Sequence, residues 1–476
     1  MAQKGTVYLI GAGPGDCGLL TAKGLDILRQ ADVLLYDRLV NPLLLEETKP
    51  GAELLYAGKL PNRHILRQEA IHDEMVRHAQ KGKCVVRLKG GDPSVFGRVG
   101  EEAAFLDEYA IPYEIVPGVT AGIAAPAYAG VPVTHRLHGA NFAIATGHSR
   151  RDTGLPEIDW NGLASIDTVA FYMGIKHLPT IAENLITHGR RKDEKVLLIQ
   201  WGTTSKQRTL TADLGTIARK AEAEQFTNPA IALIGDVAGL NQGKSWFERK
   251  PLFGSFPLIA NSDGASQLAS LLKEEGAETF VYPRFHEVEE EAPLIHWETA
   301  TDIAFYDEKD VIVFFRWLQK RGLDIRTLSA QFSGETDSAV QALQQRGLAP
   351  VQGSRPIGSD RLFLSRGGLG GKPGWKHIQT RERTVAPSTQ TTINRLLDEG
   401  HLTDLVFLSR ESVECFCEAF AAIGREKEIS ELTVLCLSDE AEKAAISYGL
   451  SPQIKQSVLS AWMEGNYAGD FICGPR

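Results

Sequence analysis

Three glycine-bearing stretches hold the residues with which this chain could do chemistry. The first is Gly11-Ala12-Gly13-Pro14-Gly15-Asp16, which follows an apolar run and leads into a helical pattern. A loop that grips a dinucleotide pyrophosphate needs G-x-G-x-x-G, so that backbone amides and a helix N-terminus can reach it. Here the third glycine comes one place early, Pro14 removes an amide donor, and Asp16 sets a negative charge where phosphate would lie. Asp37, closing "VLLYD", imitates the ribose-binding acid found about 20 residues on in such folds. A nicotinamide-dependent oxidoreductase therefore stays open as a competing reading. The electrostatics suit a cationic or neutral ligand better than an anion.

The second stretch, "RLKGGDPSVFGRVGEE" (87–102), puts Gly90, Gly91, Asp92 and Pro93 at a strand end before a helix. Paired glycines let a ligand touch the main chain, although a tight turn with a capping aspartate would use the same residues. The third, "VPGVTAGIAAPAYAGVPVTHR" (116–136), gives a strand-end glycine, then Thr120, then a helix of small residues. Close helix packing is the competing explanation there. Three such ends within one module of 120 or so residues favour a ligand cleft.

Elements must bring these loops together. Up to about residue 240, short β-branched runs alternate with helical patterns, which predicts α/β sheets, two of them, meeting near residues 117–119. Ligands in such sheets bind beyond the carboxyl ends of the strands, where the glycines lie. "NQGKSWFERKPLFGSF" (241–256) breaks the pattern and reads as a linker over 243–256. Beyond it, two segments repeat an aromatic helix, a strand and an alanine-rich helix, predicting two similar α/β lobes. A net charge of −9 argues against nucleic acid or an anionic membrane as partner. The opening apolar run is too short for a signal peptide, and no run of about 18 apolar residues occurs. Six cysteines without a CxxC predict neither metal site nor disulfide framework. A cytoplasmic protein is the expectation.

Residues 5 to about 240 resemble the uroporphyrinogen-III C-methyltransferases, of the tetrapyrrole-methylase class, in "GAGPGDCGLLTAKG", "YDRLV", "GGDPSVFGR", "PGVTAGIAAPAYAGVPVTHR", "ATGH", "YMG" and "PAIALIGDV". The resemblance implies a two-domain α/β methylase module (1–117 and 118–242) that forms a homodimer. It also implies transfer of two methyl groups from S-adenosylmethionine to C2 and C7 of uroporphyrinogen III, giving precorrin-2. By motif, Pro14, Gly90, Gly91, Asp92, Val95, Thr120, Ala121, Met173 and Gly202 would line the cofactor pocket. Asp37 and Lys59 would take the acid–base roles. The substrate carries eight carboxylates, so cations on strand-end loops are expected to meet it: Arg38, Arg63, Arg98 and Arg136, with Lys59 and His135 nearby.

Residues 255–476 resemble uroporphyrinogen-III synthase less closely, in "GASQLASLLKEEGAETFVYPRFHEV", "VIVFFRWLQKRGL" and "LVFLSRESVECFCEAF". The implied fold has two α/β lobes, 255–288 plus 402–476, and 292–398. The implied activity is cyclisation of hydroxymethylbilane. Departures accompany the likeness: Tyr306-Asp307 replace Thr-Ser, and Ser438-Asp439-Glu440-Ala441-Glu442 loses a glycine and a threonine. Asp307 carries the wrong sign for a polyanion. Ser409 could hold a substrate carboxylate or cap the helix that follows. A degenerate, non-catalytic module is the alternative for this half.

Overall fold

Aliphatic runs with apolar residues at every position make strands buried on both faces, and the helices between them cover those faces. The computed structural model describes residues 4–58, 68–147, 158–241, 243–350, 360–367, 372–452 and 458–466. Its first five strands are β1 (Val7–Gly11), β2 (Val33–Tyr36), β3 (Glu53–Tyr56), β4 (Val85–Lys89) and β5 (Tyr113–Val116). They form a wholly parallel sheet in the order β3-β2-β4-β1-β5. Alternate residues feed separate cores: Val7 and Leu9 pack with Met75 of the helix Gln68–Gln80, whereas Ile10 packs with Leu28 and Leu34.

The second sheet comprises β6 (Phe142–Thr146), β7 (Thr168–Tyr172), β8 (Lys195–Gln200), β9 (Arg208–Asp213) and β10 (Ala230–Ile234), ordered β6-β7-β10-β8-β9. Only the β6–β7 pair is parallel. The helix Ala121–Tyr128 leaves the first sheet and joins the second sheet's core through Ala125.

The expected linker is a packed segment. Trp246 packs tilted and Phe247 edge-on against Tyr128, with ring centroids 5.0 and 4.9 Å away. Leu252 is fully buried in the core of the next sheet. That sheet holds β11 (Pro257–Ala260) and β12 (Phe280–Tyr282), and later β18 (Asp404–Phe407) and β19 (Thr433–Cys436), all parallel. Between them the chain builds another sheet from β13 (Phe285–Glu289), β14 (Asp302–Phe305), β15 (Gln331–Gly334), β16 (Arg361–Arg366) and β17 (Lys376–Val385).

The chain divides into two compact units, Met1–Pro283 with Pro387–Arg476, and Arg284–Ala386. The inserted compact unit spans 284–386, where sequence led to an expected lobe over 292–398. The helix Pro387–Asp398 belongs to the other unit because its buried face packs there, with Thr392 Oγ1 donating to Pro42 O at 3.2 Å. The internal likeness is visible in both halves. A strand leads into a helix with a reciprocal capping box, at Asp307 before Glu308–Lys320 and at Ser409 before Arg410–Ala421.

Candidate active site

Chain direction across the first sheet reverses at β1 and β4, and the two strand ends are knitted together beyond the sheet. Gly91 N donates to Gly13 O at 2.7 Å, and Gly13 N returns a bond to Gly91 O at 3.2 Å. Asp92 extends the stitching, its Oδ2 accepting from Gly118 N at 2.9 Å and its Oδ1 from Ser94 N at 2.7 Å. A crevice opens at this reversal, as open α/β sheets dictate. Its cavity is about 630 Å³, a size that encloses a small organic ligand.

The glycines do two different jobs. A Cβ on Gly118 would lie 2.3 Å from Gly91 O, and one on Gly11 would lie 2.6 Å from the same oxygen. Those two exist for main-chain packing. Gly91 has φ of +70°, and a Cβ there would find its nearest atoms, Thr120 Cα and Ala121 N, at 4.0 Å. Its open side belongs to the cleft.

All nine residues assigned by motif to the cofactor line this one cavity. Pro14 comes from the loop after β1. Gly90, Gly91, Asp92 and Val95 come from the loop after β4. Thr120 and Ala121 start the helix Ala121–Tyr128, and Met173 and Gly202 follow β7 and β8. Gly202 sits against Ala125, whose Cβ would be 2.5 Å from an added methyl. The sequence reading missed Phe96, Tyr172 and Trp201, which also line the cleft. Tyr172 Oη lies 2.6 Å from Thr120 Oγ1, and its ring meets Phe96 edge-on at 5.3 Å. Among the described residues, seven non-glycines have positive φ, and four of them (Phe96, Arg98, Met173 and Trp201) line the cavity. Backbone strain of that kind collects at ligand sites. Met173 and Phe96 are also 40% and 41% exposed, apolar surface held open in the crevice.

These walls fit the adenosyl and sulfonium parts of S-adenosylmethionine: main chain bared at Gly91, apolar side chains from Met173 and Phe96. Asp16 does not stand as a free charge in the crevice, which corrects the electrostatic argument from sequence. Its Oδ1 caps the short helix Cys17–Leu19 by accepting from Gly18 N at 2.8 Å, and its Oδ2 accepts from Tyr128 Oη at 2.7 Å. The next helix, Ala22–Leu28, spends its own N-terminus on Thr21.

Asp37 heads a buried chain of charges. Arg87 Nη2 donates to Asp37 Oδ1 at 2.6 Å, Arg87 Nε to Glu102 Oε1 at 3.2 Å, and Lys89 Nζ to the same oxygen at 2.7 Å. Glu102 is wholly buried and Arg87 is 3% exposed. Two carboxylates balance two cations, the condition under which buried charge is tolerated. Burial pushes the Lys89 ammonium down, and neighbouring Arg87 pushes the same way. Burial would lower Arg87 too, but the Asp37 and Glu102 carboxylates outweigh it and raise the guanidinium. Sequence carried a signal for this pair: two cations at i and i+2 inside a buried strand face the same side and need a partner.

Of the expected substrate cations, Arg38 and Arg98 line the cleft. Arg38 is exposed, and no carboxylate among the described residues forms an ion pair with it. Arg98 is paired with Glu101. Arg136 does not line the cavity; it lies in the exposed turn closed by the His135–Gly139 bridge, and the structure does not bring it to the site. Lys59 and Arg63 lie outside the described residues.

Ser409 is a cap. Its Oγ accepts from Ser412 N at 3.3 Å. In the inserted unit, Asp307 accepts two bonds of 2.9 Å from Arg381. Burial would raise the Asp307 carboxyl, but Arg381 and the Asp310 amide hold it below its usual range. The negative charge feared from sequence is thus matched by a cation. Ser438, at the position of the missing glycine, caps the helix Asp439–Ser447 by accepting from Ala441 N at 3.2 Å.

The chain is similar to known proteins. The profile of the tetrapyrrole (corrin/porphyrin) methylases matches residues 6–218. A uroporphyrinogen-III C-methyltransferase of Bacillus subtilis (strain 168) is 40% identical over 98% of this chain and 98% of its own. The porphyrin biosynthesis protein HemD of Ruminiclostridium josui is 32% identical over 94% of each. Among solved structures, uroporphyrin-III C-methyl transferase from Thermus thermophilus complexed with S-adenyl homocysteine is 40% identical. It covers 50% of this chain and 100% of its own, with a TM-score of 0.43.

Proposed function

The chain belongs to the uroporphyrinogen-III C-methyltransferase family of tetrapyrrole methylases, and from that premise we propose that it methylates C2 and C7 of uroporphyrinogen III to give precorrin-2. S-adenosylmethionine is the methyl donor. When bound it supplies a methyl already activated by a sulfonium, so the protein needs no nucleophile of its own. What the chain contributes is position: the strand-end main chain at residues 90–92 and 120–121 seats the donor, and the tetrapyrrole lies on the side of Asp37 and Arg38. The observation that carries this reading is the convergence of nine motif residues from five separate loops on one cavity that Asp37 and Arg38 also line.

Methylation of a substituted pyrrole carbon leaves a cationic ring system that must lose a proton. On this reading Asp37 takes it, which its place on the cavity wall and the bond from Arg87 to its Oδ1 support. Lys59 shares that assignment by motif. Arg38 meets a substrate carboxylate, which a guanidinium grips with two parallel bonds; Arg98, paired with Glu101, lines the same cavity.

The C-terminal half, on this reading, makes uroporphyrinogen III from hydroxymethylbilane. The likeness to the HemD protein over 94% of each chain supports it. Ser409 is assigned to the helix cap rather than to substrate. Among the described residues no helix is long and apolar enough to cross a membrane. The deciding experiment gives pure protein hydroxymethylbilane and S-adenosylmethionine and follows precorrin-2 by absorbance. Methylation of supplied uroporphyrinogen III, with only uroporphyrinogen I formed from hydroxymethylbilane, would leave the methylase and remove the synthase.

A further inference from the structure

Residues outside the methylase motifs reach the methylase cleft. Glu278 precedes β12, and Glu399 and His401 precede β18; all three line the cavity. Glu278 accepts from Ser205 N at 3.2 Å and Ser205 Oγ at 2.6 Å. Arg395, on the helix Pro387–Asp398, is 5% exposed and makes the most direct connection. Its Nη2 donates to Arg38 O at 2.9 Å and its Nη1 to Val40 O at 3.1 Å. Glu399 fixes the other side of the guanidinium at 2.6 and 3.0 Å. The guanidinium carbon lies 5.6 Å from the Tyr36 ring centre and 5.8 Å from that of Tyr56.

The loop so held carries Asp37 and Arg38; Arg87 and Leu88 O tie it at Asp37 and the buried Val40 anchors its far end, while at Arg38 itself the bond from Arg395 holds the main chain. Val40 N to Asp37 O, at 3.2 Å, is its own turn bond, and Leu39 between the two bonded carbonyls is 45% exposed. Rigid fixation of the two carbonyls sets the direction in which the Arg38 side chain leaves the main chain. Five guanidinium donors in one plane can bridge two carbonyls and a carboxylate at once, which an ammonium cannot do with that geometry.

We propose that Arg395 is a positioning residue for the tetrapyrrole, setting Arg38 and Asp37 toward the substrate, so that the C-terminal part of the chain is a working wall of the methyl-transfer site. This rests on the reading that the polyacid lies on the Asp37–Arg38 side of the cleft and the methyl donor on the glycine side. A pure packing anchor would instead hold all sides equally.

The test compares full-length wild type with R395A, R395K and T389A. The last removes a bond from the same helix to Glu46, away from Asp37. Initial rates give KM for uroporphyrinogen III, calorimetry gives S-adenosylhomocysteine affinity, and melting reports the fold. R395A should raise KM for uroporphyrinogen III about tenfold or more while S-adenosylhomocysteine affinity stays within about twofold. R395K should recover part of that loss, and T389A should match wild type. An unchanged KM in R395A overturns the proposal, as does a parallel fall of donor affinity and melting temperature. Should R395A fail to fold, R395K carries the same comparison. Wild type that binds S-adenosylhomocysteine but methylates no uroporphyrinogen III would instead refute the functional reading beneath it.

Discussion

Gly91→Ala separates a ligand surface from a turn. The residue lies at φ +70°, where a side chain strains the main chain by roughly 1–2 kcal/mol. Nothing in the protein obstructs the new methyl, since its nearest atoms would be 4.0 Å away. The fold should therefore lose only that strain, a fall of a few degrees in melting temperature for a unit of this size. A methyl entering the occupied cleft is a different matter. It overpacks the donor site at a cost of about 1–3 kcal/mol, which is roughly 5- to 150-fold in affinity. Gly118→Ala is the counterpart, because its methyl would strike Gly91 O at 2.3 Å, a main-chain atom that cannot swing aside. Calorimetry with S-adenosylhomocysteine and melting of both variants provide the comparison. The expected pattern is weakened binding with a near-normal fold for Gly91→Ala, and a damaged fold for Gly118→Ala. Wild-type affinity in Gly91→Ala would refute the assignment of that surface to the methyl donor.

Three other outcomes follow from the charges. Asp37→Asn should keep S-adenosylhomocysteine affinity while slowing methylation of uroporphyrinogen III by about 100-fold or more, as loss of a positioned base does; a rate near wild type would assign proton removal elsewhere. Arg87→Met leaves Glu102 facing Lys89 alone and Asp37 untethered, and should cost about 3–5 kcal/mol of stability, read from denaturant unfolding; a loss under about 1 kcal/mol would mean that the buried chain of charges is not coupled as drawn. Glu399 supplies a pH dependence. Burial would raise its carboxyl, but the hydrogen bond from His401 and the Arg395 charge hold it below its ordinary value of 4.5. A depressed carboxylate stabilises fully above that value and loses its contribution as pH falls through the folded-state value. Wild type should thus lose more stability than Glu399→Gln between neutral and acid pH, and parallel melting curves would contradict this.

Which parts of this molecule could be read from residues alone has physical reasons. Glycines at strand ends announce the cleft because only a bare main chain tolerates both the turns and the contacts made there. Strand–helix alternation announces α/β sheets, yet it says nothing of pairing, so the antiparallel partners of β10 were invisible. The strand β9 reads "RTLTAD" and is half exposed at a sheet edge, so no apolar run marked it. Arg87 and Lys89 were passed over as part of a strand, because their partner Glu102 sits on a helix and no periodicity links the two. Asp16 and Asp92 looked like charges offered to a ligand; Asp92 accepts from two amides, and Asp16 from one amide and the Tyr128 hydroxyl, which only coordinates reveal.

The inserted unit, 284–386, leaves a last consequence. Its first and last strands lie side by side: Phe285 pairs with Val385, and Ala386 N donates to Arg284 O at 3.0 Å. Entry and exit are therefore one step apart across a ladder, the spacing a short hairpin turn would bridge. A segment rooted in that way can be lengthened, lost or unfolded while the chain around it keeps its connectivity, much as an antiparallel loop tolerates changes at its tip. Fraying of this portion under stress need not open the methyl-transfer half, and selection can retune the two at different rates within one polypeptide.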